Sequence, residues 1–133
     1  MPGRVIIAED ELVIAMSLRS ELMKEGYEVV AIATTGTQAL DLCFQHHPDV
    51  VLMDIRMPDM DGLEATSRIM NACPACVIIV TGKADTEEEA KRAGAMGYLV
   101  KPVTGDELFS VIEAARERFA QQMAAPEGPG EST

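Results

Sequence analysis

The chain has no apolar run long enough to cross a membrane. Although 47% of its 133 residues are hydrophobic, no stretch approaches the ~18 consecutive apolar residues of a membrane span. No leader is expected either. Met1-Pro2-Gly3-Arg4 passes straight into a short apolar run ending in Glu9-Asp10-Glu11, which is no signal peptide, so a cytoplasmic location is expected. Bases are scarce: eleven Lys and Arg face twenty-two Asp and Glu, a net charge of −11. That balance argues against direct binding to a nucleic-acid backbone. Three cysteines, an odd number in a leaderless chain, suggest reduced thiols. Cys73 and Cys76 do form Cys-Pro-Ala-Cys. A redox motif wants its first cysteine at a helix start just after a strand, whereas this pair follows a helix and leads into a strand. His46 and His47 adjoin Pro48 at a helix end, without further ligands at zinc spacing.

What is present is regular. Five short apolar runs (Val5–Ala8, Val29–Ala33, Val50–Met53, Val77–Val80 and Tyr98–Val100) alternate with five amphipathic stretches. Between the first two runs, Leu12, Ala15, Met16, Leu18, Leu22 and Met23 recur at helical spacing, and Gly26 provides the stop. Further helices are expected over Thr37–Gln45, with Cys43 at a core position, and over Leu63–Asn71, Asp85–Ala93 and Thr104–Met123. Such alternation with short connections predicts an α/β fold: a parallel sheet with helices on both faces. One domain is expected over residues 1–123, and residues 124–133, rich in Pro, Gly and Glu, read as a flexible tail or the start of a linker.

Chemistry concentrates where these runs end. The first ends in Glu9-Asp10, the third in Asp54, the fourth in Thr81-Gly82 and the fifth in Lys101-Pro102. Parallel strands bring their carboxyl ends to one edge of the sheet, where open α/β folds place ligands. Three carboxylates crowded together repel one another. Lys101 offsets one charge, and a hard divalent ion such as magnesium, with oxygen ligands and room for phosphate, offsets the rest. Two rival α/β chemistries are less suited to these residues. A flavin site wants a donor-rich loop after the first strand, where this chain has Glu9-Asp10-Glu11. A dehalogenase-like phosphatase wants a second Asp two residues after the nucleophile, and Arg56 stands there. A small magnesium-dependent phosphatase working through a phospho-aspartate stays open as the second reading.

The segments Val5-Ile6-Ile7-Ala8-Glu9-Asp10-Glu11, Met53-Asp54-Ile55-Arg56-Met57-Pro58-Asp59-Met60-Asp61-Gly62, Val80-Thr81-Gly82 and Gly97-Tyr98-Leu99-Val100-Lys101-Pro102 occur in this order. Together they resemble the receiver domain of two-component response regulators, over about Arg4 to Ala120. The resemblance implies a doubly wound, flavodoxin-like sheet of five parallel strands in the order 2-1-3-4-5 with five helices. It implies that Asp54 takes a phosphoryl group from a sensor histidine kinase or a histidine phosphotransfer protein. Asp10, Asp54 and the backbone carbonyl of Arg56 would hold Mg2+, with Glu9 acting through water; Mn2+ could substitute. Thr81 and Lys101 would bind phosphoryl oxygens, and Pro102 would follow a cis peptide bond. Such a protein controls an output and is no enzyme toward other substrates. The stretch Gly97–Gln121 also resembles regulators that carry an RNA-binding antiterminator domain.

Three further expectations concern control. Tyr98, three residues before the lysine, matches the family's switch aromatic and would turn inward when Thr81 swings toward a phosphoryl group. Arg56 and Lys83 place two long cations at the pocket rim, where they would shield the phosphorylated state from water. The fourth helix, fifth strand and fifth helix would form the output face, with Glu87, Glu88, Glu89, Lys91 and Arg92 opposite Arg116 and Arg118 in a possible homodimer.

Overall fold

The computed structural model describes residues 2–124. Five strands, β1 (Arg4–Ala8), β2 (Glu28–Ala33), β3 (Val50–Met53), β4 (Cys76–Thr81) and β5 (Gly97–Val100), alternate with five helices. These are α1 (Leu12–Lys24), α2 (Gly36–His46), α3 (Gly62–Ala72), α4 (Glu87–Ala93) and α5 (Gly105–Ala124). The strands form one parallel sheet in the order β2-β1-β3-β4-β5, the fold class and strand order expected from the sequence.

Side-chain alternation along the strands divides the interior into two cores. Ile6, Ala8, Val51, Met53, Val77 and Ile79 face α2, α3 and α4, meeting Ala39, Cys43, Ala65, Ile69 and Ala90. Val5, Ile7, Val50, Leu52, Ile78 and Val80 face α1 and α5, meeting Ala15, Leu18, Leu22, Leu108, Ile112 and Ala115. Every residue of β3 and β4 is buried. That is why those runs are continuously apolar rather than alternating.

The helices differ from the sequence reading in two instructive ways. α4 starts at Glu87, not Asp85, because Asp85 holds φ +69°, in the left-handed region that no α-helix admits. On α1 only Ala15, Leu18 and Leu22 are buried, whereas Leu12, Met16 and Met23 are exposed. Six apolar positions span more of the helix circumference than one sheet face can cover. Helix α5 runs to Ala124, one residue past the expected domain boundary, and the tail from residue 125 to 133 lies outside the described residues. His47 ends α2 in the left-handed conformation, its N–H donating to the Cys43 carbonyl. Cys43, Cys73 and Cys76 are all free and buried. Among the described residues, no helix is long and apolar enough to cross a membrane.

Candidate functional site

Backbone hydrogen bonding carries the sheet ladder one residue past several strand ends and so fixes the acids and the lysine. Asp54 N–H donates to Ala8 O at 2.9 Å, Glu9 N–H to Ala33 O at 2.9 Å, and Lys101 N–H to Thr81 O at 2.8 Å. Beyond β3 the chain must turn sharply. Asp59 takes φ +78°, Met60 N–H donates to Pro58 O, and Asp61 caps α3 by accepting from Glu64 N–H at 2.9 Å. Gly62 then packs directly on the site: a Cβ there would lie 1.9 Å from the Asp54 carbonyl oxygen. Only glycine allows this approach.

The expected residues converge unequally. One carboxylate oxygen from each of Glu9, Asp10 and Asp54 lies within 4.8 Å of the others. Glu9 and Asp54 are buried, 1% and 6% exposed, and Asp10 is open to solvent. Lys101 Nζ donates to Glu9 Oε1 at 2.6 Å and to Asp54 Oδ2 at 3.2 Å. The other Glu9 oxygen accepts from Glu11 N–H at 3.1 Å, and Asp54 Oδ1 accepts from Ile55 N–H at 2.8 Å. Glu9 is therefore the closer partner of Lys101, a contact across 92 positions that local spacing does not reveal. The Lys101–Pro102 peptide bond is cis.

Burial raises the Glu9 carboxyl above its ordinary range, and the Lys101 hydrogen bond only partly opposes this. For Lys101, burial pulls the ammonium pKa down, but the Glu9 hydrogen bond and the Asp54 charge outweigh it and raise the group above 10.5. Three carboxylates against one ammonium leave two negative charges in a largely buried cluster. Oxygen donors with that surplus charge fit a hard divalent cation. Arg56 and Lys83 direct their side chains to solvent.

Thr81 is buried at the end of β4, and its hydroxyl accepts from Lys83 N–H at 3.1 Å. Tyr98 is half-buried, with its hydroxyl donating to the Lys83 carbonyl at 3.0 Å. The ring is thus tied to the β4–α4 loop. Thr86 joins it there, at 2.7 Å from the Tyr98 oxygen. The sequence reading does not single out Thr86, because the expected helix over Asp85–Ala93 takes it in as one of its own residues. Between α4 and α5 lies a cavity of about 720 Å³ lined by Glu87, Lys91, Met96, Tyr98, Val111 and Arg118. Arg116 is not on this face. Its guanidinium donates to the Pro2 carbonyl and lines a separate cavity beside Tyr27 and Phe109, so its expected place on the output face falls to Arg118 alone.

Comparison with known proteins agrees with this geometry. The profile of the response regulator receiver domain matches residues 5–113. The transcriptional regulatory protein PdtaR of Mycobacterium tuberculosis is 44% identical over 130 residues, which cover 96% of this chain and 63% of that protein. The chain thus spans less than two thirds of that relative's length. The chemotaxis protein CheY of Bacillus subtilis is 36% identical over 84% of this chain and 96% of its own length. Among solved structures, the signal receiver domain of a modulated diguanylate cyclase from Desulfovibrio desulfuricans is similar, with a TM-score of 0.83 and 33% identity. That match covers 90% of this chain and 98% of the other.

Proposed function

Because the chain belongs to the response regulator receiver family of two-component systems, whose members work with histidine kinases, we propose that Asp54 is its phosphoryl acceptor. The observation that carries this reading is Lys101 poised between Glu9 and Asp54 at the edge of an acid cluster. Asp54 Oδ1 is engaged by Ile55 N–H, which leaves the Oδ2 side, facing Lys101, as the nucleophile. This oxygen attacks phosphorus while the bond to the donor imidazole nitrogen breaks, and the Lys101 ammonium beside it offsets negative charge during the step. Asp10, Asp54 and the Arg56 carbonyl would hold Mg2+, which neutralises charge on the phosphoryl oxygens when bound. Lys101 would then carry its charge toward a phosphoryl oxygen, freeing Glu9 Oε1, which would help Asp10 and Asp54 hold the ion.

Phosphorylation would reach the surface through Thr81. Its hydroxyl turns to a phosphoryl oxygen and gives up Lys83 N–H, whose residue also anchors Tyr98. Output then passes through the face of α4, β5 and α5, where exposed Glu87, Glu88 and Glu89 oppose Arg118 in a two-fold contact. The phosphatase reading is less favoured, because Arg56, exposed and basic, occupies the place of its second acid. Intact-mass spectrometry after incubation with acetyl phosphate and magnesium tests the proposal. The wild type should gain about 80 Da, the mass of one phosphoryl group, and Asp54→Asn should not. An equal adduct in Asp54→Asn overturns it, and sustained turnover of p-nitrophenyl phosphate would instead favour the phosphatase.

A further inference from the structure

Thr86 stands at the N-cap position of α4, yet its side chain caps nothing. An N-cap threonine ordinarily accepts from an N–H in the first turn of its helix. Here the residue is 5% exposed and its hydroxyl is spent elsewhere. It lies 2.9 Å from the Lys83 carbonyl and 2.7 Å from the Tyr98 hydroxyl, which itself lies 3.0 Å from the same carbonyl. Three oxygens close a triangle that two hydroxyl protons can serve: one proton goes to the carbonyl and the other passes between the hydroxyls. Thr86 N–H adds a contact to the Tyr98 oxygen at 3.3 Å. The triangle is joined to the phosphoryl-binding edge by one further bond, from Lys83 N–H to the Thr81 hydroxyl at 3.1 Å.

We propose that Thr86 is a positioning residue that tethers the Tyr98 ring to the β4–α4 loop and transmits movement of Thr81 and Lys83 to it. Without the Thr86 hydroxyl, Tyr98 keeps one acceptor on the loop, the Lys83 carbonyl, and loses the partner that closes the triangle. The ratio of tethered to free ring should fall about fivefold, the weight of one ordinary hydrogen bond. The Tyr98 ring would then respond less to events at Asp54. That second part rests on phosphorylation at Asp54, as proposed above; the tether itself does not.

NMR of the full chain with 13C-labelled tyrosine rings tests both parts, because only Tyr27 and Tyr98 contribute and Tyr27→Phe assigns them. Without ligand, Thr86→Val should shift and narrow the Tyr98 ring signals toward those of a mobile ring, while Tyr27 stays in place. Thr86→Ser, which restores the hydroxyl, should return them to the wild-type position, so a loss of packing alone is distinguished from loss of the bond. With beryllofluoride and magnesium, the Tyr98 displacement should be smaller in Thr86→Val than in wild type, while the Ile55 amide beside Asp54 moves equally in both. Tyr98 signals in Thr86→Val that match wild type without ligand overturn the tether. An equal beryllofluoride response in both overturns the transmission. An Ile55 amide that ignores beryllofluoride in the wild type would instead sink the phosphoryl-acceptor reading, with the ligand-free comparison still deciding the tether.

Discussion

Gly62→Ala should damage this protein although helix propensity favours it. Gly62 begins α3, and alanine in place of glycine in a helix gains about 1 kcal/mol. The new Cβ, however, would stand 1.9 Å from the Asp54 carbonyl oxygen, 2.8 Å from its carbon and 2.9 Å from Ile55 Cα, all backbone atoms that cannot rotate away. Reaching the 3.4 Å of an ordinary contact demands about 1.5 Å of movement between α3 and the end of β3. That movement also strains the 2.8 Å bond from Gly62 N–H to Ile55 O. Overpacking of this kind costs about 1–3 kcal/mol and sometimes more; a 1.9 Å approach to backbone belongs at the upper end, so after the ~1 kcal/mol propensity gain the expected net loss is about 2 kcal/mol. For a domain of this size that lowers Tm by roughly 6–10 °C. A nucleophile displaced by about 1 Å loses on the order of a hundredfold in rate, so acetyl phosphate labelling of Asp54 should slow by at least tenfold. Gly105→Ala is the control. Its Cβ would meet the Glu21 carboxylate end at 2.6 Å, a flexible tip that can move, and Tm should hold or rise. Calorimetry and timed mass spectrometry read both quantities. If Gly62→Ala melts within about 2 °C of wild type and labels at an unchanged rate, the close approach does not position Asp54.

Burial pushes the Cys43 and Cys76 thiols up to about 12, so neither should react with a thiol reagent at pH 8 in the folded protein, and both should react fully in denaturant. Fast labelling of either in the native state would contradict the packing. The Lys101 ammonium is raised in the folded protein, so its stabilisation is fully present below the unfolded value near 10.5 and is lost as pH climbs through the folded value. Urea midpoints should therefore fall above pH 10.5, and Lys101→Met should remove that part of the slope. Lys83→Ala should speed loss of the phosphoryl group by more than twofold, a barrier change above ~0.4 kcal/mol, and a smaller change in the dephosphorylation time course would remove Lys83 from the rim's role.

Much of this fold is legible because each strand is a short apolar run bounded by turn residues, and burial on both faces leaves no alternation to confuse with a helix. Convergence of Glu9, Asp54 and Lys101 follows from parallel strands alone. What stayed hidden depends on contacts between distant positions or on a single dihedral. The Lys101 amine prefers Glu9 over Asp54 because the longer carboxylate reaches it, which spacing does not encode. Asp85 shortens α4 through one left-handed backbone angle. Arg116 looks like its neighbour Arg118 in sequence, but two residues are 200° around a helix, and it points to Pro2 instead. Thr86 is concealed because the expected helix over Asp85–Ala93 takes it in as a helical residue, whereas the left-handed Asp85 moves the helix start past it.

The sheet order sets a mechanical asymmetry within the site. Glu9 and Asp54 extend from β1 and β3, strands hydrogen-bonded on both sides, whereas Lys101 follows β5, four residues long and paired only with β4. A border strand with half a ladder opens more readily than the strands inside. The ammonium of Lys101, gripped by two buried carboxylates, therefore works as a clasp that pins the free margin of the sheet to its centre. Drawing that charge away would unfasten the same strand that carries Tyr98. Chemistry that engages Lys101 would then be felt as slack at the border of the sheet.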